Sequence, residues 1–559
     1  MSTLVLLFVA IAVFAIAYIF YGGWLSKKWG IDPARATPAH SMYDNIDYVP
    51  TKPQILLGHH FSSIAGAGPI TGPILAAIFG WLPVYLWITI GSIFFGGVHD
   101  YGALLASVRH EGRSIGEVIK ANIGERGKML FNVFAWLTLV LVVAAFTDIC
   151  ASTFAYMTPA AGAAADLTGA RAGTASILFI FLAIGFGVAV YRRNAPIAVA
   201  TIVGVVLLFA AVWVGFSFPV LAISKTTWVI ILLVYITLAS VLPVWFLLQP
   251  RDYLCSFLLY SMLVGGVVGI FMTGPQILTP AVTGFNIGGQ FLFPFLFVTV
   301  ACGAISGFHS LVSSGTTAKQ VNTEKDTRLI GYGAMLIEGL VAVVALIAVI
   351  AVSGLSGSPA MKFAVGLATF MNTFGLPMDI GKVFVILAYS AFALTSLDTA
   401  TRIARYIFQE FFREVKNETV KKFFTNMYVA TIITVLASIA LILYGYQRIW
   451  PIFGTTNQLL AALALLAVSA WLAKSGKKNL MTIIPMVFMF CVTLTALVLI
   501  GYGYWTAVDK NGAWHPSVLL GCFAIVLFVL AIFLIVEAIR SFRKKGVSSK
   551  DKLPLGARA

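Results

Sequence analysis

About fifteen apolar runs, each roughly the 20 residues a helix needs to cross a bilayer, follow one another along the sequence with short polar connections between them. They lie near residues 3–20, 56–80, 83–107, 129–157, 173–190, 196–222, 227–248, 255–273, 289–313, 331–353, 383–398, 424–444, 451–473, 482–504 and 516–540. None shows the short alternation of a membrane β-barrel. With 60% hydrophobic residues, 10% charged residues and a mean hydropathy of +0.95, 559 residues carry too little polar surface to coat a soluble globule. The sequence therefore predicts an all-α polytopic membrane protein of about fifteen transmembrane helices.

Loop charge sets the expected orientation, because cytoplasmic loops collect Lys and Arg. Alternating sides along the runs leaves six of the 37 basic residues on one face: Arg171, Lys225, Lys362, Lys382, Arg448 and Lys510. All the others fall on loops such as 109–128, 192–193, 319–328, 402–422, 474–478 and 540–558. This predicts a multi-pass protein of a bacterial or archaeal plasma (inner) membrane, N-terminus outside and C-terminus cytoplasmic. The first run lacks a positive n-region and a cleavage site and reads as a retained helix. The net charge of +16 is spread over many inner loops without a recognition motif. Anionic lipid accounts for it, and nucleic acid is not an expected partner. Cys150, Cys255, Cys302, Cys491 and Cys522 fall within the runs without CxxC spacing, so neither a disulfide framework nor a zinc site is expected.

The run LGHHFSSIAGAGPITGPILAAIFG, Leu57 to Gly80, is long enough to span yet carries glycines and prolines at its middle. Unwound backbone at membrane depth survives only where protein or a water-filled cavity covers it. Secondary transporters use such breaks to hold cargo and coupling ions. Ala65, Gly66, Ala67, Gly68 and Pro69 are accordingly the expected substrate contacts, with His59 and His60 just before them as a proton relay or a carboxylate ligand. Taking this run as the first of five gives a unit over 56–223, and a second unit of five over 227–398. Five is odd, so the two are inverted, the LeuT-like arrangement. Residues 1–55 then form an added N-terminal helix and loop, 399–540 a loop and C-terminal helices, and 541–559 a basic tail. The second unit should also begin with an interrupted helix, and ASVLPVWFLLQPRDY places Pro243 there, so Pro243 to Gln249 is the expected opposite wall of the site.

The segment ACGAISGFHSLVSSGTTAKQ crowds Ser310, Ser313, Ser314, Thr316 and Thr317 near His309. Hydroxyl oxygens suit a hard cation such as sodium; small hydroxyl residues also serve close helix packing. Ionisable residues inside spans are costly and by default functional. Asp100 and Asp148 are the expected proton-coupling carboxyls, Glu338 is a further intramembrane acid, and Asp398 is expected to pair with Arg402 one turn on. No cofactor and no metal are expected, only a coupling ion, H+ or Na+.

The runs DYVPT (47–51), GHHFSSIAGAGPITGPILAA, HEGRSIGEVI (110–119), PVWFLLQPRDYL (243–254), GFHSLVSSGTTAKQ (307–320) and LDTATRIARY (397–406) resemble the carbon starvation protein A (CstA) family over roughly residues 20 to 470. The resemblance implies an inner-membrane transporter of the amino acid–polyamine–organocation superfamily, linked to uptake of peptides or pyruvate under nutrient limitation. The expected function is secondary active import of a small carboxylate-bearing nutrient by alternating access. A channel, or a sensor without coupled flux, is the competing class. An enzyme lacks its nucleophile–base pair, and a primary pump lacks a nucleotide domain. No feature of the sequence sets an oligomeric state.

Overall fold

The computed structural model describes residues 2–44, 47–156, 165–243, 245–413, 415–506 and 518–545; Lys510 and the tail from residue 546 lie outside the described residues. Among the described residues, eleven helices are long and apolar enough to cross a membrane, or thirteen if each of two bent pairs is one span. The bent pairs are Pro53–Ile64 with Gly68–Phe79, at 46°, and Glu418–Phe424 with Met427–Ile442, at 65°. A shorter apolar helix, Lys225–Val241, occupies one more of the apolar runs, and two eight-residue helices, Leu292–Thr299 and Phe308–Gly315, share another.

Burial separates centre from rim. Of its apolar window, 94% of Tyr446–Lys474 is buried, and 83% of both Arg328–Ile350 and Met378–Phe412, against 17% of Ile197–Ser217. The last of these turns Ile202, Val206 and Trp213 outward, as a lipid-facing helix does. The most extensive packing joins Met378–Phe412 to Glu125–Phe154, two long helices that run beside the centre.

Two segments break at the centre. In the first, Pro53–Ile64 ends where Ala65 turns to ψ 80, and Pro69, which has no N–H to offer, opens the second half in its first turn. In the second, Leu292–Thr299 and Phe308–Gly315 flank an unwound stretch at 300–307. The two segments run antiparallel. Gly72 meets Thr299 and Val300, Gly68 meets Cys302, the His60 ring bonds the Thr317 hydroxyl at 2.9 Å, and Thr51 N–H donates to Gln320 at 3.0 Å. Glycine is required at Gly72, since a Cβ there would lie 2.6 Å from the Thr299 carbonyl oxygen.

Freed backbone in the second break is satisfied by the central helix. Asn457 accepts the Phe308 N–H through its side chain (2.9 Å) and the Gly307 N–H through its carbonyl (2.9 Å), while its amide nitrogen donates to Ser306 (2.9 Å). Gln458 donates to the Phe297 carbonyl at 2.7 Å. This is how non-helical backbone persists at membrane depth, by protein replacing the water that lipid cannot supply.

The basic loops gather on one face of the bundle. Buried Glu324 takes two hydrogen bonds from Arg109, at 2.6 and 2.9 Å, one from the Asp32 N–H at 2.7 Å, and lies 3.6 Å from Arg35. Thr37 donates to the Val321 carbonyl at 2.6 Å. Lys474 reaches the Ala121 carbonyl at 2.5 Å, and Lys477 the Trp29 carbonyl.

Candidate functional site

Against the first break lies a file of buried titratable side chains contributed by three separate elements. His99 Nδ1 lies 2.6 Å from Asp100 Oδ1, Asp100 Oδ2 lies 2.8 Å from His309 Nδ1, and His309 Nε2 lies 3.3 Å from Glu338 Oε2. All four side chains are fully buried. Asp100 and His99 come from the helix ending at Val108, His309 from the second half of the second broken segment, and Glu338 from Ala334–Ile350. The Ile64 carbonyl, at the end of the first half-helix, borders the His309 ring. His99 Nε2 and Glu338 Oε1 have no partner, the His309 Nε2–Glu338 Oε2 contact closes no hydrogen bond, and the His60 Nε2 beside them is also free. Buried polar groups are ordinarily paired, so these free atoms set the cluster apart from the packing around it. Among the described residues, no three His, Cys, Asp or Glu side chains converge to hold a metal ion.

The break is enclosed. Ala65, Gly66, Ala67, Gly68 and Pro69 are all buried. A Cβ at Gly66 would lie 2.9 Å from both Phe146 and the Ser396 hydroxyl, and one at Gly68 would lie 2.4 Å from Cys302 Sγ. The half-helix from Gly68 has no side-chain cap, so its first-turn N–H groups and dipole favour an anion. Thr71 and Tyr389 bond across the site at 2.8 Å.

The hydroxyls of the Phe308–Gly315 segment are mostly spent within it. Ser310 donates to Gly307, Ser314 to Ser310, and Thr316 to Val312. Thr317 pairs with His60. Ser313, one turn beyond His309, is buried with a free hydroxyl.

Three expected residues stand elsewhere. Pro243 is exposed in the connection between Lys225–Val241 and Leu248–Thr273, and Gln249 opens the second of these helices, so neither interrupts a helix facing Ala65–Pro69. Cys302 and the 300–307 stretch occupy that place. Asp148 lies in the last two turns of Glu125–Phe154, where Lys225 holds it at 2.7 Å and the Tyr446 N–H at 2.8 Å. A carboxylate so paired braces three helices together. Asp398 does not pair with Arg402 either. It takes Arg251 from a different helix and the Tyr235 hydroxyl at 2.8 Å, while Arg402 caps the carbonyls of Ala239 (2.6 Å) and Leu242 (2.5 Å).

The family model for carbon starvation protein CstA matches residues 2–356 and 353–496. The chain belongs to the CstA family. It is 32% identical to the peptide transporter CstA of Bacillus subtilis, over 97% of this chain and 97% of that protein. It is also 32% identical to the pyruvate/proton symporter BtsT of Escherichia coli, over 89% of this chain and 81% of that one. Among solved structures, a manganese transporter of Eremococcus coleocola matches at a TM-score of 0.52 and 14% identity, covering 92% of this chain and 98% of that chain; the likeness is one of fold. With its apolar helices, this CstA-family chain is a multi-pass membrane protein.

Sequence reasoning placed His59, His60, His309 and Asp100 in the site but left Glu338 and Asn457 without roles in it. Glu338 stood out as an intramembrane acid, and its pairing with His309 crosses between distant segments. Asn457 follows the polar run GTT within an apolar helix, a signal that could have found it.

Proposed function

We propose that this protein is a secondary active transporter that imports a small carboxylate-bearing nutrient, pyruvate or a short peptide, by alternating access driven by a proton gradient. The buried file His99–Asp100–His309–Glu338, set against the broken helix, carries the proposal: it can hold or pass a proton beside the place where cargo would dock. The carboxylate sits at the N-terminus of the Gly68 half-helix, with Phe146, Ser396 and Cys302 around it. His60, bonded to Thr317, joins the two broken segments beneath it. Gain or loss of a proton on the file changes the charge facing the cargo and so the preference for one access state.

The kinship with a peptide transporter and a pyruvate/proton symporter supports this cargo class and coupling ion. The antiparallel course of the two broken segments supports a LeuT-like inverted repeat in about fifteen spans, with the second unit opening at Leu292 rather than near Thr227. The basic face is assigned to the cytoplasm of a bacterial or archaeal plasma membrane, which puts the N-terminus outside and the C-terminus inside.

The test is uptake by purified protein in liposomes, comparing pyruvate with di- and tripeptides under separately imposed proton and sodium gradients. Accumulation of either cargo with the proton gradient alone is expected. Flux without accumulation would make it a channel, and binding without flux a sensor; either would overturn the proposal.

A further inference from the structure

A second cluster of unpartnered polar atoms lies one helix away from the file just described. Asp252, on Leu248–Thr273, is buried at 1% exposure, and neither oxygen of its carboxyl closes a hydrogen bond. His59 Nδ1 lies 3.8 Å from Asp252 Oδ2 and is itself unpartnered. The Thr395 and Ser63 hydroxyls border the same carboxyl; that of Thr395 is fully buried and free, while that of Ser63 donates to the His59 carbonyl at 2.9 Å. Among the described residues, neither Arg251 nor Arg402 forms an ion pair with Asp252. Arg251 is committed to Asp398, and Tyr235 bridges the two, accepting from Arg251 at 2.7 Å and donating to Asp398 at 2.8 Å. Arg402 is turned to backbone carbonyls. A buried carboxylate held in no ion pair with Arg or Lys is costly to keep ionised.

We propose that Asp252 is a second proton-binding site of the transporter, loaded through His59, and that its protonation fastens the seam between the first broken helix, Leu248–Thr273 and Met378–Phe412. His59 is the member of the cluster that is not fully buried, its side chain 12% exposed. An imidazole there passes protons and is a poor ligand for sodium. The seam is already stitched at its rim: Ser62 donates to the Asp252 carbonyl and Ser396 to the Ser63 carbonyl, each at 3.3 Å. A protonated Asp252 adds an O–H donor facing the Thr395 and Ser63 oxygens. An ionised one adds a negative charge near Asp398, which opposes closure. The proton binds to one carboxyl oxygen and leaves from it unchanged, so no other reactant is needed.

This rests on the proposed transport activity only for its second readout, and the first stands alone. Infrared difference spectra of the purified protein, titrated through pH, are expected to show the carbonyl band of a protonated buried carboxyl that Asp252→Asn removes. An unchanged band in the variant overturns the site. In liposomes, a one-unit pH gradient supports about tenfold accumulation at one proton per neutral pair of cargo and proton. D252N is expected to lose that accumulation to a greater extent than it loses counterflow exchange. Equal loss of both, or wild-type accumulation, overturns the coupling role. Should D252N fail to fold, His59→Gln decides: a displaced pH profile of the same infrared band is expected, and an unmoved profile overturns loading through His59. Failure of the wild type to carry any cargo, with the infrared band lost in D252N, would refute the transport reading while leaving the site intact.

Discussion

Replacing Gly72 with alanine tests whether the two broken segments are interlocked as closely as their backbones indicate. Gly72 lies inside a helix, where alanine by itself would gain about 0.5–1 kcal/mol over glycine. The added methyl would lie 2.6 Å from the Thr299 carbonyl oxygen and 3.1 Å from Val300 Cα. Those are backbone atoms of the partner segment, so no rotamer change relieves the contact. Overpacking of this kind costs about 1–3 kcal/mol, and set against the helical gain it leaves a net loss of up to about 2.5 kcal/mol. Gly185 provides the control, because a Cβ there meets nothing within 4 Å; Gly185→Ala should be neutral or stabilising by up to about 1 kcal/mol. Denaturant titration of the purified protein in detergent, with uptake measured on the same preparations, reads both. G72A should unfold earlier than wild type and transport more slowly, and G185A should do neither. If G72A proved as stable as G185A with uptake intact, the antiparallel contact at the centre would be refuted.

Arg251→Met alone should destabilise the protein by about 3–5 kcal/mol, because it leaves Asp398 buried without its partner; the double variant Arg251→Met, Asp398→Leu should recover most of that loss in the same titration, and a double variant no better than the single one would contradict the pairing. At the basic face, burial holds the His110 imidazole below its ordinary value of 6.5. The folded state thus binds this proton less readily than the unfolded chain, so the stabilising contribution is complete above that pH and is lost as pH falls below it. Amide protection across residues 106–114, taken relative to the intrinsic exchange rate at each pH, should fall on acidification, and His110→Asn should flatten that dependence.

The first broken helix was legible because its signals are local: Gly66, Gly68 and Pro69 cannot sustain an ordinary helix, and the two histidines mark its approach. The second was misplaced for a physical reason. A proline is the strongest local breaker, which drew attention to Pro243, yet Pro243 serves an ordinary connection between helices. The unwound stretch at 300–307 contains no proline, and it stays unwound because Asn457 and Gln458, some 150 residues on, satisfy its backbone. Side-chain partners followed the same division. Spacing suggested Arg402 for Asp398, since i and i+4 are neighbours on a helix, but Arg251 reaches it from across the bundle. Asp148 looked like an isolated intramembrane acid until Lys225, at the start of another helix, came to lie beside it. The His309 site combined both kinds of information: its polar segment was visible, whereas the file through Asp100 to Glu338 exists only once three distant segments meet.

The Glu324 clamp and the Thr51–Gln320 bridge have a mechanical consequence. Thr51 lies immediately ahead of the helix that starts at Pro53, and Gln320 lies just after the second broken segment ends. The inner ends of the two half-helices are thus hitched together by a connection only a residue or two long on each side. Neither can swing away from the bundle axis without dragging the other, and Arg109 and Arg35, fixed on Glu324, resist both at once. In the transporter proposed above, opening toward the basic face is therefore expected to be a single stroke with one threshold, set by release of Glu324, rather than two independent gates that could leak when only one has moved.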